Sequence, residues 1–275
     1  MCKDCGCLTA THPIFSEQHP HLHADTHTHE HSHLHQHEEL HDHSRKIKVE
    51  ETLFMQNQKF AEQNRHFFKK QNLTVFNVMS SPGSGKTTLL AKILPGLAKK
   101  HPLAVIVGDQ ETDIDSSRLS AAGLTSFQIN THSACHLDAH RVGHAVEHLP
   151  LATLDWIVIE NVGNLVCPAV FDLGESIKVA LLSTPEGEEK PLKYPVLFHD
   201  ANLIVITKSD LIPHLDFNKN LLLQNIRSLN PSAPVIFCSV KTGEGLTELA
   251  LTLETVSQTL GDNHVPRHTS QNLSN

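Results

Sequence analysis

The sequence predicts an α/β protein, a mostly parallel sheet flanked by helices on both faces, with a disordered Cys/His-rich extension ahead of it. Three observations predict it. Apolar runs of strand length, LTVFNVMS, LAVIVGD, DWIVIENVG, ANLIVITKSD and APVIFCSV, are spaced by helical stretches such as TTLLAKILPGLAKK. Such alternation is the pattern of parallel strands covered by helices on both faces. The first of these runs turns through glycines directly into a helix. The residues ahead of the runs are polar and repetitive, and the segment from His12 to His43 holds 12 of the 23 histidines. With almost no large apolar side chains, that segment cannot offset the entropy of ordering its backbone.

Four regions follow in order. Residues 1–45 form a metal-binding segment, disordered without metal. Residues 46–72, in which Val49, Leu53, Phe60 and Phe67 recur at helical spacing, predict an amphipathic helix. Residues 73–260 form one nucleotide-binding domain, and residues 261–275 a frayed tail. The net charge is −8 and no run of Lys/Arg is long enough to neutralise a row of phosphates, so nucleic acid is not an expected partner. The longest apolar runs fall far short of the roughly 20 residues that cross a bilayer. No basic start followed by an apolar segment opens the chain, so a cytoplasmic location is expected. Six cysteines, three of them in the first seven residues, favour thiolate metal ligation over a disulfide framework in that compartment.

In SSPGSGKTT (Ser80 to Thr88) a strand-like run passes through Gly83, Ser84 and Gly85 into Lys86, Thr87 and Thr88 and then a helix. This is the setting of a Walker A phosphate loop. Backbone N–H groups close around phosphate oxygens, Lys86 reaches the β/γ-phosphates, and the Thr87 hydroxyl is offered to Mg²⁺. The first position of the usual pattern is glycine; here it is Ser80. Farther on, Thr207, Lys208 and Asp210 follow an apolar strand. There the Asp210 carboxylate can accept both hydrogen bonds from guanine N1–H and its exocyclic amine, a pair that adenine does not offer. The run resembles the NKxD motif of GTPases, with Thr207 in the place of Asn. Ser239, Val240 and Lys241 follow the next strand, similar to the loop that closes over guanine in the same superfamily, and the expected nucleotide is therefore GTP.

Between these motifs a strand ends in Glu160, Asn161, Val162 and Gly163, where Ras-like proteins carry DxxG. Glu160 is placed to hold Mg²⁺, directly or through water, and Gly163 to let a backbone N–H sense the γ-phosphate. The pieces CKDCGC, the His-rich segment, SSPGSGKTT, GDQETDIDSSR, CHLDAHRV, ENVGNLVCPAVFDLGE and TKSD together resemble the HypB family. These are nickel-insertion GTPases of nickel-iron hydrogenase maturation in the SIMIBI class, and the resemblance runs from Cys2 to about Leu260.

That resemblance implies GTP hydrolysis, a homodimer formed with GTP and delivery of nickel toward a hydrogenase large-subunit precursor. It also implies a small HypA-like accessory protein that binds nickel and zinc. Asp109, at the end of LAVIVGD, would position Mg²⁺ or the attacking water. Asp115 is a second candidate, with helix capping its competing role. Slow hydrolysis then rests on Lys86, Thr87, Asp109 and Glu160.

Cys135, His136 and Cys167 offer two thiolates and an imidazole, a set suited to Ni²⁺ or Zn²⁺. From the residues alone, two buried structural cysteines are the better reading; the resemblance reverses it and implies a metal site at a dimer interface. Cys2, Cys5 and Cys7 match the family's CxxCGC nickel motif, and the histidines behind them read as a weak imidazole store. Cys238, inside PVIFCSV, reads as a core residue. Two other readings compete. A urease chaperone of the UreG kind uses a Cys-Pro-His motif, whereas Cys167-Pro168 is followed here by Ala169. A nickel-storage module with an inactive nucleotide domain would not need Lys86, Thr87 and Asp210 intact.

Overall fold

The computed structural model describes residues 36–109, 114–131 and 134–260, with side chains from residue 52 onward except that of Asp109. Helix α1 (Gln36–Lys70) leads into β1 (Thr74–Ser80), α2 (Lys86–Leu97), β2 (Leu103–Asp109), α3 (Ile114–Ala121) and β3 (Thr125–Asn130). After α4 (Ala139–Val146) come β4 (Trp156–Glu160), α5 (Cys167–Val170), β5 (Ile177–Ser183), α6 (Lys190–Lys193) and α7 (Pro195–Asp200). The chain closes with β6 (Leu203–Thr207), α8 (Lys219–Leu229), β7 (Val235–Phe237) and α9 (Leu246–Leu260). The strands form one sheet in the order β3-β2-β4-β1-β5-β6-β7, and every pairing is parallel.

Alternation along each strand sends side chains to opposite faces. Phe76, Val78, Val105, Val158, Val179, Leu181 and Val205 meet Leu89, Ile93 and Leu94 of α2 and Leu249 and Leu253 of α9. On the reverse face, Val75, Ile106, Ile157 and Ile159 pack under Phe68 of α1 and Val142 and Ala145 of α4. Farther along that face Met79, Ala180, Leu182 and Ile206 pack under α7 and α8. Covered on both sides, the strands can be apolar almost throughout, which made five of them legible as runs. The sequence reading passed over β3, a mixed polar segment, and β5, which reads IKVALLS. No described helix is long and apolar enough to cross a membrane.

Helix α1 departs from expectation twice. It spans Gln36–Lys70, beginning ahead of the 46–72 segment predicted as helix. Nor does it dock by the predicted stripe, for Leu53, Phe60 and Phe67 remain exposed while Asn57, Ala61 and Phe68 are buried. The reason lies in what it covers. Asn57 accepts from the Ala139 N–H (2.8 Å) and donates to the Asp172 carbonyl (2.8 Å), while Asn64 donates to the carbonyls of Ala139 (2.7 Å) and Leu173 (3.0 Å). Those loop backbone groups need partners once buried, and an apolar stripe supplies none.

Candidate functional site

The carboxyl ends of β1, β4 and β6 open onto one crevice at the edge of the sheet, the usual ligand position in open parallel sheets. Beyond β1 the phosphate loop turns through Gly83 (φ 71°) and Gly85 (φ 95°), both in the left-handed region that glycine adopts without strain. The turn delivers Lys86 and Thr87 to the N-terminus of α2, whose dipole favours bound anions. Lys86 Nζ donates to Ser80 Oγ at 2.9 Å, and Ser80 Oγ in turn donates to the Ser81 carbonyl at 2.8 Å. The serine at the position where the usual motif has glycine thus holds the lysine head in the loop. Thr87 Oγ1 donates to Glu160 Oε1 at 2.6 Å, with both residues buried. The turn after Glu160 lies against the loop, since a Cβ on Gly163 would sit 3.0 Å from Pro82 Cα.

Next to the phosphate loop is a cavity of about 410 Å³ lined by Thr88, Thr207, Lys208, Asp210, Val240 and Lys241, among others. Lys208 takes a left-handed backbone (φ 58°) and sends Nζ to the Gly83 carbonyl at 2.8 Å. Thr207 Oγ1 donates to the Ser84 carbonyl at 2.7 Å. Threonine in the place of the motif's asparagine therefore still tethers the base-reading strand to the phosphate loop. Asp210 Oδ1 accepts from Ser239 Oγ at 2.6 Å, and Lys241 Nζ stands 4.0 Å from its other oxygen. The carboxylate is thus fixed at the cavity wall, ready to accept from a base edge.

The third part of the site joins two loops. Cys135 Sγ lies 3.0 Å from Cys167 Sγ and 3.5 Å from His136 Nδ1. All three ligand atoms fall within 4.8 Å of one another. The His136 ring rests on Phe171, with centroids 3.8 Å apart. Burial lowers the His136 pKa, so its imidazole is neutral and free to ligate. Burial, together with the hydrogen bond to Cys135, pushes the Cys167 thiol up to about 11. A divalent ion here would have to displace a thiol proton. Two soft sulfurs and an imidazole nitrogen suit Ni²⁺ or Zn²⁺, with a fourth position for solvent or another donor.

Asp109 ends β2 at the same edge of the sheet, but its side chain and residues 110–113 are outside the described residues, as are Cys2, Cys5 and Cys7, the histidines up to His35, and residues 261–275. Asp115 lies in the first turn of α3 and faces Arg118 at 3.8 Å, a helix-surface pairing. Cys238 is fully buried, and its thiol is pushed up to about 12. Sequence reasoning gave no role to Asn77, Asn161 or Glu175, which form a buried polar chain behind the site. The available signal was an asparagine in the middle of the apolar run VFNV.

A parallel sheet carrying a phosphate loop, a Lys-x-Asp base pocket and an acidic strand end against the loop's threonine defines a P-loop nucleoside triphosphatase. The model of the CobW/HypB/UreG nucleotide-binding domain matches residues 74–237. The chain is 50% identical over 205 residues to the hydrogenase maturation factor HypB of Azotobacter vinelandii, covering 74% of this chain and 68% of that protein. The crystal structure of HypB from Helicobacter pylori in complex with nickel matches with a TM-score of 0.70 at 36% identity, over 77% of this chain and all of that one. HypB from Archaeoglobus fulgidus matches with a TM-score of 0.68 at 33% identity, over 74% and 98% of the two chains. The chain belongs to the CobW/HypB/UreG family and, within it, to the HypB GTPases.

Proposed function

We propose that the protein is a GTP-hydrolysing nickel chaperone that delivers nickel for the maturation of nickel-iron hydrogenase. The observation that carries the metal half is the convergence of Cys135, His136 and Cys167 on one point, on loops that flank the nucleotide-sensing turn. In the nucleotide half, Asp210 reads guanine while the backbone of residues 83–88 and Lys86 hold the phosphates. The hard oxygens of Thr87 and Glu160, 2.6 Å apart beneath the loop, fit Mg²⁺, which would neutralise charge on the β- and γ-phosphates. Lys86 stabilises negative charge as water attacks the γ-phosphorus, the bond to the bridging oxygen breaks, and GDP and phosphate leave. Asp109 orients that water. Hydrolysis by positioning and charge alone is slow, which suits a switch.

Nickel, held as cargo by Cys135, His136 and Cys167, passes toward a hydrogenase large-subunit precursor with a HypA-like nickel and zinc accessory protein. Zn²⁺ competes for the same ligands, and the thiols of Cys2, Cys5 and Cys7 form a second nickel site in a cytoplasmic protein. Exposed Val166 and Val170 flank Cys167 and support a homodimer closing over the metal in the GTP state.

Phosphate release from GTP by Lys86→Ala, compared with the parent, tests the catalytic half. A fall of about a hundredfold or more is expected, and equal rates would remove the claim. Deleting the gene tests the client: hydrogenase activity should be lost and regained with added nickel. Loss of urease activity alone would point to the other class of nickel enzyme.

A further inference from the structure

We propose that Asn161 is a positioning residue coupling the nucleotide-sensing turn to both metal-bearing segments, with Asn77 and Glu175 as the rest of the link. The inference rests on the GTP-driven nickel chaperone proposed above, taken as a metal switch in which nucleotide state changes metal affinity, and names the residues that would carry it. Asn161 follows Glu160, the partner of Thr87, and precedes Val162 and Gly163, the latter lying against Pro82 of the phosphate loop. Its side-chain oxygen accepts two backbone N–H groups from different loops, Val162 at 2.9 Å and Leu137 at 3.4 Å. Leu137 is the residue after His136. The amide nitrogen of Asn161 donates to Asn77 Oδ1 at 3.1 Å, and Asn77 Nδ2 donates to Glu175 Oε1 at 3.2 Å. The other Glu175 oxygen accepts the Leu173 N–H at 2.7 Å, on the segment that leads away from Cys167.

The chain from Leu137 through Asn161, Asn77 and Glu175 to Leu173 is thus continuous. Asn77, Asn161 and Glu175 are all buried, so water does not readily replace a lost partner. If the turn at 161–163 shifts with the state of the γ-phosphate, one oxygen cannot keep both of its N–H donors in place. The Leu137 backbone must follow or lose its acceptor in a dry interior, a choice between discrete arrangements rather than a gradual drift. An apolar residue at 161 would leave both N–H groups buried without acceptors. By linkage, the nucleotide then alters metal affinity and the metal alters nucleotide affinity by the same factor.

The test uses the full chain with Cys2, Cys5 and Cys7 changed to serine, so that thiolate-to-nickel absorption reports the Cys135/Cys167 site. Nickel affinity is measured by chelator competition with GDP and with a non-hydrolysable GTP analogue. The expected ratio in this parent is in the range of about 5- to 150-fold typical of such coupling. Asn161→Asp keeps the acceptor but cannot donate to Asn77, and Glu175→Gln leaves one oxygen where two are needed. Both variants should bring the ratio below about twofold while keeping the thermal transition of a folded domain. Folded variants that keep the parent's ratio overturn the inference, because a purely structural role lowers stability without touching the ratio. A parent with no ratio overturns the metal-switch reading along with it. Should the variants fail to fold, the backbone amide resonances of Leu137 and Leu173 in the parent decide. They must move when GDP is exchanged for the analogue, and resonances that stay in place overturn the inference.

Discussion

At Gly163 a close backbone approach meets the chemistry. A Cβ there would lie 3.0 to 3.1 Å from Pro82 atoms, two of them backbone, so any larger residue requires the turn or the phosphate loop to give by a few tenths of an ångström. Gly163→Ala should push the turn back and lower GTP hydrolysis severalfold or more, with little change in the thermal midpoint; a phosphate-release assay beside a melting curve separates the two effects. Cys167 sets a second expectation. Its thiol, raised to about 11 by burial and by the neighbouring Cys135, is protonated at neutral pH and must lose that proton when a metal binds. His136, lowered by burial, is already neutral near pH 7 and releases nothing there. Affinity at this site should therefore rise with pH through the neutral and mildly alkaline range, by up to about tenfold per unit for each thiol proton released, and fall on acidification. Nickel titrations at two pH values on either side of neutrality check the sign.

Among the elements, α1 has the least obvious role. Its docking stripe of Asn57, Ala61, Asn64 and Phe68 clamps the start of α4, just after His136, and the 172–173 segment, just after α5 with its Cys167. The helix therefore braces, from behind, both loops that carry the proposed metal ligands. Asn64→Ala should cost about 1–3 kcal/mol, since the carbonyls of Ala139 and Leu173 lose a donor, and a denaturant midpoint reads this directly. A chain of residues 52–260 should fold and hydrolyse GTP at the parent rate. One beginning at residue 73 should be markedly less stable, with Phe68 gone from the core and the loop carbonyls uncovered. The sequence reading predicted a helix here but chose the neighbouring stripe of Leu53, Phe60 and Phe67. Helical periodicity identifies an apolar face; it does not identify the face that meets a partner made of backbone amides.

For the molecule as a whole, the exposed apolar side chains beside the proposed metal ligands bear on assembly. Val166 and Val170 are 57% and 44% exposed on either side of Cys167. If two copies meet there in the GTP state, Val170→Asp should weaken dimerisation by placing a charge in the contact while leaving the monomer folded. Sedimentation with a non-hydrolysable GTP analogue measures it, and an unchanged dimer would move the interface elsewhere. The same change should spare hydrolysis by the monomer, because Val170 is exposed and does not line the base cavity.

The features readable from the amino-acid order are local. Strand runs such as LAVIVGD, the turn into Lys86 and the order of the phosphate, acidic and base-reading motifs were all legible, because each is set by backbone conformation and burial over a few residues. Family membership followed from those motifs together with the two cysteine-histidine clusters. That Cys167 stands 3.0 Å from Cys135, that Thr207 donates to the phosphate loop and that α1 docks through asparagines became visible only in the folded chain. The register of seven parallel strands determines which loops emerge side by side at the sheet edge, and no short stretch of sequence encodes that distance. Buried polar chains such as Asn161–Asn77–Glu175 are hidden for the same reason: each residue looks unfavourable in its own segment and is satisfied only by partners far away in the chain.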